Sequence, residues 1–267
     1  MNTRKRAGQG FVAGSLIGTL GGLIGLGGAE FRLPVLVGLF RLSTLEAVIL
    51  NKAMSLVVVA SALLFRLRAI PFEQLIQHGD VALNLLAGSL IGAWWAAGHA
   101  LTMPRTRLNQ VIMVLLVGLA VVMLSESWLG LHDSGAPLFE GGPTRIVVGL
   151  LAGFGIGTAA ALLGVAGGEL LIPTIVLIYG IDIKLAGSLS LVVSLPTMIV
   201  GFARYSGSDA FAVLKAERPL FRWMVVGSIL GAGMGGLLLG LVPPEILISG
   251  LGVILLISAV KTFKHAH

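Results

Sequence analysis

The sequence predicts an all-α integral membrane protein with two homologous halves, and three observations support that fold class. The chain is 56% hydrophobic and only 11% charged, whereas an ordinary soluble domain is roughly 25% charged. Its apolar stretches have helical periodicity and are about as long as a bilayer crossing, which needs about 20 residues. These stretches are residues 11–65, 81–101, 108–124, 146–179, 185–202, 220–242 and 246–260. The third observation is an internal repeat.

The repeat is visible when the sequence is shifted against itself by 139 positions without a gap, which places Glu30 on Glu169 and Pro34 on Pro173. Other identities include Ala13 on Ala152, Gly14 on Gly153, Gly18 on Gly157, Gly25 on Gly164, Gly28 on Gly167, Ser55 on Ser194, Gly88 on Gly227 and Pro104 on Pro243. Because many of them are glycine, proline or glutamate, a duplication explains them better than shared apolar composition. We therefore expect the first apolar segment to belong to the mature fold and not to a cleaved signal peptide.

The repeat divides the chain into four predicted segments. They are a basic cytoplasmic head at 1–12, a first repeat at 13–128, a linker with the start of the second repeat at 129–151, and a second repeat at 152–267. Each repeat is predicted to begin with a glycine-rich segment, broken or re-entrant, which three transmembrane helices follow.

The two broken segments are GGLIGLGGAEFRLP at 21–34 and GVAGGELLIP at 164–173. Glycine and proline are the poorest helix formers. Non-helical backbone inside a membrane is tolerated only where protein or a water-filled cavity satisfies its polar groups. Paired interruptions at matching positions of two halves therefore indicate the binding site of a secondary transporter.

The basic residues indicate a topology. If each broken segment is a re-entrant hairpin, Arg105 and Arg107 lie in the cytoplasm with both termini, and the acidic linker lies outside, as the positive-inside rule favours. Only Arg66 and Arg68 conflict with this arrangement. Each half then has three full spans, so the halves are expected to be inverted repeats. The alternative, in which each broken segment is one kinked full span, violates the rule twice.

The breaks are the first candidate substrate site. A helix that begins after a break offers unpaired amides and the positive end of its dipole, which suit a small anion. Glycine lets the anion approach the backbone closely. We expect this role for Gly25, Gly27, Gly28, Gly164, Gly167 and Gly168. Close helix packing through small residues is the alternative.

Three of the charged residues at or near the breaks are candidates for substrate binding or proton coupling. Glu30 and Glu169 follow the glycines, where a carboxylate interacts favourably with the helix dipole. The functional alternative is a protonated glutamate that carries a coupling proton, because a carboxylate beside an anion repels it. Lys52 lies in the next helix, and an ionisable residue inside a membrane is functional by default. Its expected partner is the anion, Glu30 or Asp80, unless its side chain extends to the interface.

Further polar residues are expected to donate hydrogen bonds to substrate oxygens: Asn51, Ser55, Ser188, Ser190 and Ser194. Hydroxyls in membrane helices also bond their own backbone, which is the alternative for the serines. Arg32 is matched by Leu171 and is not part of the repeated pattern. Three roles are open to it, namely pairing with Glu30, contact with the anion, and an interfacial salt bridge.

Other function classes fit the sequence less well. A net charge of +6 suggests nucleic acid in a soluble protein, but here the basic residues lie in short loops and at the termini. The chain has no cysteine, and it contains no P-loop, nucleophile elbow or zinc-protease motif. We expect no cofactor, no metal and no enzymatic activity. An anion channel and, more weakly, an intramembrane hydrolase are the alternatives.

With these motifs in view, the chain resembles the sulfite exporter TauE/SafE family of bacterial membrane transporters. The resemblance covers both halves. It rests on GLIGLGGAEFRLPVLVGLF and ALLGVAGGELLIPTIVLIYG, and on the helices AVILNKAMSLVVVASALLF and AGSLSLVVSLPTMIVGFARY that follow them. It implies a secondary transporter in the bacterial inner membrane that exports sulfite, an organosulfonate or another small anion. The departure is ILNKAM, where the second half has the hydroxyl-containing AGSLS, and it bears on which anion is carried.

The expected partners are therefore a small anion, the lipid bilayer and protons as the candidate coupling ion, with no nucleic acid. The sequence leaves open whether the chain forms a homo-oligomer.

Overall fold

The computed structural model describes residues 3–24, 28–69, 72–129, 138–139, 142–237, 249–250, 252–257 and 259–260. Within these ranges every regular element is a helix, which confirms the predicted all-α class. The first half contains α1 (Thr3–Ile24), α2 (Ala29–Gly38), α3 (Thr44–Ala69), α4 (Phe72–Gln77), α5 (Gly79–Thr102) and α6 (Arg105–Leu129). The second half contains α7 (Pro143–Leu163), α8 (Gly168–Tyr179), α9 (Ile183–Tyr205), a 3-10 turn (Asp209–Ala212), α10 (Val213–Ala216) and α11 (Arg218–Leu237).

Corresponding helices of the two halves begin at corresponding residues. Helices α2 and α8, α3 and α9, and α5 and α11 each start 139 positions apart, the same shift that aligns the two sequences. Five helices are long and apolar enough to cross a membrane in the part of the chain that the structure describes. Their candidate spans are Thr44–Ser61, Gly79–Thr102, Arg105–Val122, Pro143–Leu163 and Leu185–Tyr205.

The first arm of each break is longer than predicted. Helices α1 and α7 have 22 and 21 residues, about 33 and 32 Å at 1.5 Å per residue. Neither is the half-helix that a re-entrant segment was expected to contain. The second arms, α2 and α8, have only 10 and 12 residues. Each break therefore joins a full-length helix to a short one.

Left-handed glycines form the breaks. Gly164 ends α7 with φ 68°, and Gly167 precedes α8 with φ 80°. Gly28 precedes α2 with φ 66°, so the two short helices begin in the same way. Residues with a Cβ rarely adopt this conformation, which accounts for the repeated glycines at these positions.

The two halves pack through two equivalent helix pairs, α1 against α11 and α7 against α5. A Cβ on Gly14 of α1 would overlap the carbonyl oxygen of Met224 in α11, and a Cβ on Gly153 of α7 would overlap that of Leu85 in α5. The 139-residue shift converts each contact into the other, which is the relation found at a two-fold interface. Helices α3 and α9 pack against each other, and Lys52 early in α3 lies against Gly201 late in α9.

Candidate functional site

The structure buries the predicted polar site residues and divides them between two places. Glu30, Asn51, Lys52, Ser55, Glu169, Ser188, Ser190 and Ser194 are all at most 4% exposed. Of the six predicted glycines, Gly25 and Gly27 lie outside the described residues. The others flank the short helices: Gly28 and Gly167 precede them, Gly168 is the first residue of α8, and Gly164 ends α7.

The first place is where α2 and α8 begin, and we term Glu30, Arg32, Ser55 and Glu169 the amino-terminal cluster. The carboxyl groups of Glu30 and Glu169 lie against each other, and the guanidinium of Arg32 interacts with both. The two glutamates are equivalent under the 139-residue shift. Their contact therefore lies close to the pseudo-two-fold axis that relates the halves.

Arg32 is only partly satisfied in this cluster. Its Nη2 donates a hydrogen bond to Ser55 Oγ at 3.1 Å, whereas Nε and Nη1 have no partner among the described residues. The described donors also leave the carboxyl oxygens of Glu30 and Glu169 without a hydrogen bond of normal geometry. Buried polar groups are nearly always hydrogen-bonded, so unused donors on a buried guanidinium favour a ligand-binding role.

Sequence reasoning did not assign Arg32 to the substrate site, because its counterpart is Leu171. The structure buries Arg32 completely, so its side chain does not form a salt bridge at the surface of the fold. The available signal was an arginine two residues after Glu30 in an otherwise apolar ten-residue helix. Because Leu171 occupies the equivalent position of the second half, the repeat does not mark Arg32.

The second place is the end of α7, and we term Asn51, Lys52 and Tyr205 the carboxyl-terminal cluster. Asn51 Nδ2 donates to Leu163 O at 3.1 Å and to Ala29 O at 2.9 Å. Lys52 Nζ donates to Ala160 O at 3.2 Å, and the Tyr205 hydroxyl donates to Ala161 O at 3.2 Å. Each of these donors bonds a carbonyl in the last turn of the broken helix.

The partners expected for Lys52 are therefore not the ones observed. Its ammonium binds a main-chain carbonyl, and no carboxylate in the described ranges forms an ion pair with it. Its stem lies against Gly201, where a Cβ would come within 2.8 Å of Cε and 3.0 Å of Nζ. Because Lys52 is fully buried between helices, it does not extend to the surface of the fold.

One comparison with known proteins identifies the family. The model of the sulfite exporter TauE/SafE family matches residues 10–262, nearly the whole chain. The chain belongs to this family. Its members form a family of membrane transporters that export sulfite and related sulfur-containing anions. Neither the curated proteins nor the solved structures gave a match.

The predicted serines of this TauE/SafE family member differ in whether their hydroxyl groups already have a hydrogen-bond partner. Ser190 Oγ donates to Gly187 O at 2.9 Å, so its hydroxyl bonds its own helix. Ser194 is buried and its hydroxyl has no described partner. Ser188 is buried as well. Among the described residues, no group of three or more His, Cys, Asp or Glu side chains is arranged to hold a metal ion.

Proposed function

We propose that this protein is a secondary transporter that exports a small sulfur-containing anion, sulfite or an organosulfonate, by alternating access. The observation that carries the proposal is the amino-terminal cluster, where two equivalent short helices begin beside a buried, partly unsatisfied arginine. Membership of a sulfite exporter family supports the substrate class.

The amino-terminal cluster is suited to an oxyanion. The glycine that precedes each of α2 and α8 provides no side-chain cap, so the positive end of each helix dipole faces the cluster and favours negative charge there. The carboxyl groups of Glu30 and Glu169 interact with their own backbone amides, and a bound anion would compete with them for this position. Arg32 adds a guanidinium with unused N–H donors, the group best suited to sulfonate-like oxygens. We propose that the anion binds between Arg32, the start of α2 and the start of α8.

The two glutamates link anion binding to protonation. With Glu30 and Glu169 both ionised, one guanidinium faces two carboxylates and the cluster is net negative, which repels an anion. A shared proton removes that excess charge and weakens the hold of the carboxylates on Arg32. We propose that the pair takes up a proton when the anion binds, and that both move together.

The membrane potential sets the direction of such a carrier. A dianion that travels with one proton moves one net negative charge. An inside-negative potential favours the outward movement of that charge by about 2.3 kcal/mol per 100 mV. Export then follows when this term exceeds the cost of moving the proton against its concentration gradient.

The packing of the halves supports inverted repeats, which many alternating-access carriers have. Lys52 early in α3 lies against Gly201 late in α9, the contact expected if these corresponding helices cross in opposite directions about a two-fold axis in the membrane plane. The ends of the molecule also correspond. Arg6 lies 5.7 Å from the Phe40 ring and Arg145 lies 5.5 Å from the Tyr179 ring, and the 139-residue shift relates these two pairs. We propose that they lie at opposite membrane faces.

Flux in proteoliposomes tests the function. We expect saturable sulfite flux that responds both to a pH gradient and to an imposed potential, with thiosulfate, sulfate and an organosulfonate as competitors. Discrete single-channel currents would show that the protein is an anion channel and not a carrier. Absence of flux for every sulfur anion would refute the substrate class.

Cysteine labelling tests the topology, because the chain has no cysteine of its own. A cysteine at Ser134, in the linker and outside the described residues, should react with an impermeant reagent in intact cells. A cysteine at the exposed Ser206, after α9, is the matched control and should react only after lysis. Labelling of both from the same side would refute the inverted arrangement.

A further inference from the structure

The last turn of α7 collects donors from helices of both halves. Ala160, Ala161 and Leu163 accept hydrogen bonds from Lys52, Tyr205 and Asn51 respectively. Lys52 is the only charged group in this set. Its ammonium therefore lies at the negative end of a 21-residue helix dipole, inside the fold.

This position has a known use in carriers with broken helices. In such carriers the carbonyl ends of the broken helices coordinate the coupling cation, while the amino ends face the anionic substrate. In this chain a covalently attached ammonium lies at the carbonyl end, and the amino-terminal cluster lies at the other side of the break.

We propose that the Lys52 ammonium is a tethered cation that takes the place of a coupling sodium ion at the end of α7, so that transport requires no sodium. The inference rests on the proposed function, since it assumes a carrier with broken helices.

The surroundings of Lys52 support a cation position. Its ammonium donates to the Ala160 carbonyl and lies beside Gly201, the neighbouring carbonyls of Ala161 and Leu163 accept from the neutral donors Tyr205 and Asn51, and the described carboxylates do not pair with it. The equivalent position in the second half is Leu191, and the equivalent of Gly201 is Ala62. The lysine and the glycine that makes room for it thus occur together at one break and are both replaced at the other.

Replacement of the lysine by free cations tests the proposal without any assumption about the substrate. Lys52→Ala removes the ammonium with a three-carbon stem, which n-propylammonium matches in length and n-propanol matches without charge. We expect the thermal unfolding midpoint of the purified variant to rise by about 2 °C or more with n-propylammonium or sodium, and not with n-propanol. The wild type and the matched control Leu191→Ala should respond to none of them.

Equal stabilisation by n-propanol and n-propylammonium would overturn the proposal, because it would show that Lys52 only fills space. So would sodium-dependent anion flux in the wild-type protein. The flux of Lys52→Ala should fall at least tenfold and recover in part with n-propylammonium. If sulfur anions do not move at all, the unfolding measurement still reports the cation site, so failure of the function and failure of this inference are distinguishable.

Two further variants keep the test valid if Lys52→Ala does not fold. Lys52→Met retains the stem without the charge, and wild-type flux in this variant would refute the tethered cation. Gly201→Ala retains the charge but displaces Nζ by steric overlap. We expect it to reduce flux without creating a response to sodium, since the ammonium is still present.

Discussion

The two halves share one frame but differ at two positions that carry a buried charge. Gly28 and Glu30 of the first half recur as Gly167 and Glu169 of the second, with the same left-handed turn before each short helix. Arg32 and Lys52, in contrast, are replaced by leucines at the equivalent positions 171 and 191 of the second half. The repeated residues build the breaks, and the unrepeated ones supply the buried positive charge. The buried positive charge at the breaks therefore comes from the first half, in the part of the chain that the structure describes.

The position of the pseudo-two-fold axis explains how one arginine can interact with the glutamates of both halves. Glu30 and Glu169 meet near the pseudo-two-fold axis, so a cation beside them serves both halves. A second guanidinium in place of Leu171 would lie near the first, where burial makes repulsion between like charges costly. Leu171 is 1% exposed and instead completes an apolar cluster with Ile175 and Val193.

The strongest test of this comparison is Arg32→Leu, which gives the first half the residue of the second. The variant removes the cation from the proposed anion site and leaves two buried carboxyls without a positive partner. Removal of one partner from a buried ion pair lowers the free energy of unfolding by roughly 3–5 kcal/mol. We expect sulfite flux to fall by about 100-fold or more in proteoliposomes.

Two controls accompany this variant. Arg32→Lys retains a charge and should retain part of the flux. Arg204→Leu removes an exposed cation that stacks on Trp94 at 4.7 Å, and this variant should retain most of the flux. A similar loss for Arg32→Leu and Arg204→Leu would contradict the assignment of the anion site.

Glu30→Gln and Glu169→Gln test the symmetric part of the site. Glutamine imitates the protonated carboxyl, so the pair can no longer switch to its ionised, repelling form. Wild-type anion binding should weaken as pH rises and the carboxyl pair loses its proton. In the double variant, binding measured by radiolabelled sulfite should change little with pH, and flux should no longer respond to a pH gradient. A double variant with the pH profile of the wild type would exclude these residues from coupling.

The sequence predicted that the repeated residues of the candidate site lie at the breaks, but it did not predict the main-chain partners of the unrepeated ones, for a physical reason. Identity between the halves marks residues that hold backbone geometry, and it led directly to Gly28, Gly167, Glu30 and Glu169. Lys52 was found because a charge is rare in an apolar helix, but its partner was not. Ala160 is 108 residues away, and a carbonyl at a helix end has no signature in side-chain patterns.

The length of α1 shows the same limit. The sequence predicts a basic head at residues 1–12 and a break at GLGGAEFRLP, because glycine and proline are poor helix formers. The helix ends at Ile24, just before this run, and its extra length lies at its start, because it begins at Thr3, within the predicted head. Its glycines allow close packing against α11, as at Gly14 and Gly18, and such packing outweighs intrinsic propensity. Propensity located the breaks, but tertiary contacts set the helix ends.

Two equivalent glycines test the frame with a smaller effect. A Cβ on Gly18 would overlap Ser228 O, and a Cβ on Gly157 would overlap Ser89 O. Overpacking of this kind costs about 1–3 kcal/mol, so Gly18→Ala and Gly157→Ala should lower the unfolding midpoint by similar amounts. Gly155→Ala is the control on α7, since its Cβ would meet nothing within 4 Å. Unequal losses, with only one of the two sites affected, would contradict the exchange symmetry.

The smallest effect is expected at the outer ends, where the halves differ again. Arg6 Nη2 lies 2.8 Å from Glu217 Oε1, and the two side chains are 23% and 19% exposed. The equivalent positions are Arg145 and His78. A partly exposed pair of this kind contributes about 0.2–1 kcal/mol, which we expect as the coupling energy in a double-mutant cycle of Arg6→Gln and Glu217→Gln followed by thermal unfolding. The coupling energy should decrease at high salt, because exposed charges are screened.

The same ion pair limits the expected effect on transport. If it closes one face during transport, its removal shifts the equilibrium between the inward-facing and outward-facing forms by no more than the same energy. Flux should then change by at most about fivefold, far less than for Arg32→Leu. A loss as large as that of Arg32→Leu would mean that the outer ion pair, and not the amino-terminal cluster, determines whether the carrier works.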